Sequence, residues 1–300
     1  MNDRTNPSSP PDILSEPRIS LYRMSRPLGD ALFLTTAAHE IRKRRPDMEI
    51  TIHSHWPLLF LNNPDISSFQ GIQEPQVPSG HEISYEKSWP PRERRHVLQI
   101  VCEDLGFDPD SVEPRIYYNP TDAEREHARE ICPPAERPLV VVHPFSGFFA
   151  ARTKQWDFGN WKSFLDLIPD SIDTMRFCNP DEPATPSERE PHRDIETSDI
   201  RLMAALLERA DAFVGQESGL AHLATALGVP SVVIFTGYVP PEVFGYPQNI
   251  NLVPENLDYI PCWQGDGCDP CKGEVCTKAV SPERALEALQ GLLRNLKKIS

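Results

Sequence analysis

The sequence predicts an α/β protein of two halves facing each other across a cleft, each half a sheet flanked by helices. Three observations carry this. A strand pattern at Arg18–Met24 (RISLYRM) leads into a helical pattern and then a second strand, Glu49–His53 (EITIH). A buried-strand run, Leu139–His143 (LVVVH), opens a second series of alternating strand and helix patterns. Between the two series, Cys132–Arg137 (CPPAER) has the composition of a linker. Alternation of strand and helix periods signals parallel sheets with helices on their faces.

The elements follow in order. Residues 1–16 are rich in Pro, Ser and Asn without periodicity and read as a disordered lead. After the first strand, Leu32, Phe33, Ala37 and Ile41 recur at helical spacing up to the basic end at Lys43–Arg45. Residues 62–95 give no clear element. His96–Leu105 reads as a short amphipathic helix, Glu113–Tyr118 as a strand, and Thr121 as the N-cap of a helix carrying Glu124–Ile131. Beyond the linker come a strand at Leu139–His143, a small-residue loop to Trp156, a helix at Phe158–Leu167 and a strand at Asp173–Phe177. A helix at Ile200–Arg209, a short strand at Ala212–Val214, a helix at Gly219–Leu227 and a buried strand at Ser231–Phe235 complete the series. Residues 237–260 read mostly as loop. Pro282 suits the first position of a final helix reaching Leu296. The domain plan is therefore a lead at 1–16, a first Rossmann-like domain at 17–135, a second at 136–281, and a C-terminal helix at 282–300 placed to pack back on the first domain.

Composition narrows the partners. A net charge of −14 over 300 residues disfavours nucleic acid, which needs a basic face, and broad docking on anionic lipid. A local basic pocket is still allowed. No basic start followed by an apolar run opens the chain, and no stretch approaches the ~20 apolar residues of a membrane helix, so the expected location is cytoplasmic with no integral membrane segment. Seven cysteines, three scattered and four clustered, do not resemble a secreted disulfide framework.

Four segments have the residue types for chemistry. In Val214–Ala224 (VGQESGLAHLA) a strand ends, a polar turn follows and a helix starts at Ser218 or Gly219. Free N–H groups and the helix dipole there suit an anion, and Gly219 would let a phosphate approach the main chain. An ordinary serine cap on a core helix reads equally well, and His222 alone suits a core or capping role. In His143–Trp156 (HPFSGFFAARTKQW), Ser146 and Gly147 form a second phosphate-facing loop, and Arg152 and Lys154 add positive charge, either solvated or turned to a phosphate. In Pro27–Asp30 (PLGD), Gly29 permits a tight turn, and Asp30 either only stabilises the helix start or faces the cleft as a general base. Cys262, Cys268, Cys271 and Cys276 include one pair at metal-ligand spacing, so a structural zinc or iron stands against a set of half-buried thiols.

These segments, in this order, resemble glycosyltransferase family nine, the ADP-heptose lipopolysaccharide heptosyltransferases. The resemblance is carried by Leu28–Asp47 (LGDALFLTTAAHEIRKRRPD), Asn63–Asp65 (NPD), Thr153–Leu165 (TKQWDFGNWKSFL) and Ala212–Gly237 (AFVGQESGLAHLATALGVPSVVIFTG), and by the cysteine cluster followed by Val280–Glu283. It implies a GT-B fold, with the acceptor mainly on the first domain and a nucleotide-sugar donor mainly on the second. It implies an inverting, metal-independent transfer that requires no cofactor. Asp30 then matches the catalytic base, with Gly29 beside it on the acceptor side. Lys154 matches the lysine on the donor phosphates, and Ser218, Gly219 and Leu220 match the segment holding the diphosphate. Ser146, Gly147, Arg152, Thr153, Glu217 and His222 complete the expected donor side. The chain departs from the family pattern twice: Glu217 stands where an aspartate is usual, and the first domain is short around residues 70–95. The shortening suits a smaller acceptor, or a protein, rather than a lipid-linked one. A nucleotide-sugar epimerase or hydrolase on the same fold, and a non-catalytic nucleotide-sugar-binding subunit, are the alternatives.

Overall fold

The computed structural model describes residues 13–86, 95–145, 152–178, 192–255, 257, 261–263 and 275–299. Among these, β1 (Arg18–Tyr22), α1 (Leu28–Arg44), β2 (Glu49–Ser54), β3 (Ser68–Gly71), β4 (His81–Glu82), α2 (Val97–Asp104) and α3 (Asp122–Ile131) precede the linker. After it come β5 (Leu139–His143), α4 (Phe158–Leu167), β6 (Asp173–Cys178), β7 (His192–Glu196), α5 (Ile200–Leu207), β8 (Ala212–Gln216), α6 (Gly219–Ala226), β9 (Ser231–Ile234), α7 (Pro241–Phe244), β10 (Ile250–Leu252), α8 (Val275–Lys278) and α9 (Pro282–Asn295).

Both sheets are parallel. The first runs β3-β2-β1-β4, the second β10-β9-β8-β5-β6-β7. The second is the full doubly wound order, and the first is the start of the same pattern. In such sheets the crevice lies beyond the strand C-termini where the winding reverses, here between β1 and β4 and between β5 and β8.

The central strands β5, β8 and β9 of the second sheet are buried on both faces, which is why they read as apolar runs. Successive side chains alternate between two cores. Val141, Phe213 and Val233 pack with α5, α6 and α1, whereas Val140, Val142, Val214 and Val232 pack with Trp161 and Phe164 of α4 and Leu289 of α9. Thus α9 lies on α4 and the second sheet, not back on the first domain as expected. The apolar stripe Ala285, Leu289 and Leu293 faces a core already open to it on that side.

Two other expectations change. Of the lead, residues 1–12 lie outside the described residues, but Ile13 is buried in the first core and Leu14 packs against it. Glu113–Tyr118 forms no strand, because α1 hydroxyls take its backbone groups: Thr36 Oγ1 donates to Arg115 O at 2.6 Å, and Tyr117 N donates to Thr35 Oγ1 at 3.1 Å. Four strands escaped the sequence reading. β3 and β4 are four and two residues long, β7 (HRDIE) is polar, and β10 lies in the expected loop, as does α7. The Thr121 cap is present as a full capping box with Glu124.

The two halves are clasped by Arg201 of α5. Its Nη1 donates to the carbonyls of Leu58 and Leu61 at 3.2 and 3.0 Å, and its guanidinium pairs with Glu124 of α3. No described helix is long and apolar enough to cross a membrane.

Candidate functional site

The winding reverses twice, and a charged group stands at each reversal. On the first sheet, the turn after β1 delivers Asp30 to the opening turn of α1, where it is 8 % exposed. Arg23, just past β1, donates to Asp30 Oδ2 from Nε at 3.3 Å and Nη2 at 3.0 Å, and the Ser25 hydroxyl donates to the same oxygen. Tyr85, following β4, donates to Oδ1 at 3.2 Å. A carboxylate offers about four lone-pair positions, so Oδ1 keeps the room for a further donor. Burial opposes charge on Arg23, but its bonds to Glu86 and Asp30 hold its pKa above the ordinary arginine value. Glu86 in turn is held at about 2: burial would raise it, and the Arg23 guanidinium and the Ser84 hydroxyl overcome that.

On the second sheet, the chain leaving β5 ends in a short turn, Arg152–Lys154. The Lys154 ammonium pairs with Glu217, which follows β8 and is 6 % exposed. Glu217 Oε1 also lies 3.5 Å from His222 Nε2. Burial pushes the Glu217 carboxyl up, but the Lys154 charge and then His222 bring it to about 2. Burial and the Glu217 charge raise the Tyr246 hydroxyl well above the usual value, so it stays protonated. Its oxygen lies 2.8 Å from His222 Nδ1; the Glu217 carboxylate, which only accepts, calls for a hydrogen on Nε2, and this tautomer leaves Nδ1 to accept from the tyrosine. His222 is thus a bracing residue, turned edge-on to Phe33 with ring centroids 5.3 Å apart.

The turn that carries Lys154 is fixed by residues the sequence did not mark. Gln216, fully buried, accepts from Trp156 N at 2.6 Å and donates to Gln155 Oε1 at 2.6 Å and to Pro144 O at 3.3 Å. The Thr236 hydroxyl donates to Thr153 O. Buried glutamine and threonine have no sequence signature apart from the backbone groups they serve.

Ser218 caps α6, its Oγ accepting from Ala221 N at 3.3 Å, so the N–H groups of Gly219 and Leu220 have no intrahelical acceptor. Leu28 and Gly29 of α1 lie directly over this start. A Cβ on Gly219 would fall 2.7 Å from Leu28 Cβ and 2.9 Å from Gly29 N, and one on Gly29 would meet His222 Cδ2 at 3.1 Å. The glycine therefore first serves helix-to-helix approach in this closed arrangement, where sequence reasoning assigned it to a phosphate alone. Around the contact, Phe33 and Tyr85 of the first half pack edge-on or tilted against Phe244 of the second, at 6.4 and 5.8 Å. A cavity of about 10 Å³, room for one water, is left behind Glu217, His222 and Tyr246. Replacing Gly219 by Ala will destabilise the protein. Helix propensity favours Ala by about 1 kcal/mol at most, whereas overpacking against backbone costs about 1–3 kcal/mol. Urea denaturation measures the difference, and an unchanged or higher midpoint would refute the tight contact.

The model of glycosyltransferase family 9 (heptosyltransferase) matches residues 91–278. The chain belongs to this family. No curated protein matches it in sequence. Among solved structures it is similar to E. coli ADP-heptose lps heptosyltransferase II, with 14% identity, a TM-score of 0.69, and 93% of this chain and 99% of that chain covered. A family 9 glycosyl transferase from Veillonella parvula DSM 2008 gives 17% identity and a TM-score of 0.70, with 93% and 98% covered. TibC from enterotoxigenic E. coli H10407, described as an iron-containing dodecameric glycosyltransferase, gives 17% and 0.69, with 95% and 80% covered. The fold is therefore GT-B, two Rossmann-like domains facing across a cleft.

Within this family-9 glycosyltransferase fold the expected site residues divide. Gly29, Lys154, Glu217, Ser218, Gly219 and His222 gather around the α1–α6 contact, and Asp30, next to Gly29, is linked to them through Tyr85, which bonds Asp30 and feels the charge of Glu217 as well. Thr153 and Leu220 are buried beside them, and Arg152 is exposed. Ser146, Gly147, Cys268 and Cys271 lie outside the described residues. Cys276 is buried in α8, and Cys262 is half-buried with its N–H on Gly237 O at 2.8 Å. Among the described residues, no group of three or more His, Cys, Asp or Glu is placed to hold a metal ion.

Proposed function

We propose that the chain transfers a heptose from a nucleotide diphosphate donor, ADP-heptose, to an acceptor hydroxyl with inversion. The observation that carries this is the convergence of the two winding reversals: Gly29, beside Asp30, lies over the α6 start, and Lys154 pairs with Glu217 just before that start. The acceptor hydroxyl gives its proton to Asp30 Oδ1. Its oxygen attacks the anomeric carbon from the face opposite the diphosphate. The bond from that carbon to the phosphate oxygen breaks, and ADP leaves with the electron pair. Charge then grows on phosphate oxygens, where Lys154, released from Glu217, and the N–H groups of Gly219 and Leu220, uncovered by the retreat of Leu28 and Gly29, stabilise it. On this reading the lysine and the helix start balance the leaving group and no catalytic metal is required. Donor entry requires Leu28 and Gly29 to draw back from α6, so binding and domain opening are linked.

The donor assignment is supported by relatives: TibC has been solved with ADP-D-beta-D-heptose, and E. coli WaaC with ADP-2-deoxy-2-fluoro heptose. Residues 17–135 serve the acceptor and 136–281 the donor on this reading. The acceptor is a small molecule, a saccharide or a protein, the reaction is cytoplasmic, and the cysteines Cys262, Cys268, Cys271 and Cys276 are either ligands of a structural zinc or iron or a set of half-buried thiols. The test is a thermal-shift series with ADP, UDP, GDP and ADP-heptose, followed by mass spectrometry of products from ADP-heptose. A ligand that binds the native state raises the melting temperature, by about 2.7 kcal/mol of stabilisation at a hundredfold excess over Kd. ADP selectivity and heptosylated product are expected. Free heptose formed at full rate without acceptor would favour a hydrolase instead, and metal content of the same preparation decides the cysteine assignment.

A further inference from the structure

A second pocket lies at the opposite end of the second sheet, and nothing in the proposed reaction uses it. Its volume is about 210 Å³. It opens where the strands begin: Leu139 starts β5, Asp173 starts β6 and Asp211 precedes β8. The five residues of β5 separate it from the Lys154 end by about 16 Å at strand rise. One wall is the linker, Cys132 to Ala135.

The lining is basic in a chain whose net charge is −14. Arg137, Arg193, Arg209 and Lys298 all face the pocket, against the carboxylates Asp173 and Asp211. Both carboxylates are already engaged. Asp211 accepts from Leu139 N at 2.8 Å and pairs with Lys298 at 2.8 Å, and Asp173 lies 3.6 Å from Arg137. Arg209 donates from Nε to the Cys132 carbonyl, which orients its guanidinium and leaves both Nη groups without a carboxylate partner among the described residues. Arg193 has no ion-pair partner there either. Two guanidinium forks therefore face one concavity with about two positive charges uncompensated. Planar forks match phosphate oxygens bidentately. The volume is below the roughly 300–1,000 Å³ of pockets for drug-sized ligands, and several times the ~30 Å³ share of one water. The size suits an inorganic anion of one or two phosphates rather than a nucleotide.

We propose that this pocket is a binding site for a small multivalent phosphate anion, held by Arg193 and Arg209 against the linker between the two domains. It is independent of the donor reading, since none of its residues belongs to the Lys154–Glu217 site.

Isothermal titration of the full chain with inorganic diphosphate tests it, in low-salt buffer with ADP present in excess, and again in the Lys154→Ala variant. Saturable one-to-one binding is expected in both, because neither ADP nor Lys154 reaches this end of the sheet. Affinity should fall with added salt, as it does for exposed charges. Arg193→Ala should weaken it at least 3-fold, and Arg193→Ala with Arg209→Gln at least 10-fold. Arg193 is exposed on the edge strand β7, so the single variant keeps the fold even if the loss of the Arg209–Cys132 bond disturbs the linker. Absence of binding, binding lost in Lys154→Ala, or an affinity untouched by Arg193→Ala would each overturn the proposal.

Discussion

Asp30→Asn will cut transfer turnover about 10²–10⁴-fold, the usual contribution of a positioned general base, and will leave the ADP-induced rise in melting temperature intact. The substitution keeps the side chain's size and its acceptor oxygen but removes the anion that takes the proton. The fold tolerates it for a local reason: Arg23 keeps Glu86 as a charged partner, with Nη1 2.8 Å from Glu86 Oε2, and keeps the Ile83 carbonyl at 3.1 Å. Loss of turnover with a matching loss of stability would mean that Asp30 is only Arg23's partner. Full turnover in the variant would remove it from the chemistry. The intermediate pattern, a lower kcat with unchanged donor affinity, is the one that a transition-state role requires.

How far the sequence spoke can be read from the same residues. Phe158–Leu167 and Leu139–His143 were predicted at their observed limits, because a complete periodic face or a run buried on both sides leaves an unambiguous pattern. The strands β3, β4 and β7 were silent for the opposite reason. They are short, partly exposed edge or outer strands, whose membership is set by neighbouring backbone rather than by their own side chains. Asp30, Lys154 and Ser218 were legible as types at strand-to-helix turns. Their meeting was not, since it depends on Gly29 and Gly219 allowing two helix starts to touch, and no local pattern encodes that approach. Arg23, Tyr85 and Gln216 were invisible: each works through a partner that is distant in sequence. Gln216, 61 residues from Gln155, holds the Lys154 turn from across the sheet.

Lys154→Ala will lower stability at neutral pH and weaken ADP binding, and the stability loss will shrink in acid. Glu217 is the reason. The Lys154 charge and His222 hold its carboxyl at about 2, against a reference of 4.5. That depression is equivalent to about 3 kcal/mol of native-state stability. A carboxylate whose folded pKa is depressed contributes fully above its unfolded value, so this part is present above about pH 4.5 and is lost as pH falls towards 2. Without Lys154, burial dominates and favours the neutral carboxyl, so the variant lacks the contribution at pH 7 and has nothing to lose on acidification. Breaking a buried pair by removing one partner costs about 3–5 kcal/mol. Because the lysine side chain is 21% exposed, the lower end of that range is expected. Urea unfolding at pH 7.5 and pH 3 measures the gap, and an equal gap at both would remove Glu217 from the account. The same pair bears on donor choice. On the proposed donor reading, an incoming diphosphate draws Lys154 away from Glu217, whose carboxylate stays 3.5 Å from His222. On that reading the longer acid at this position is a counter-ion that the donor has to displace, so Glu217→Asp should shift ADP affinity with a smaller effect on stability than Lys154→Ala.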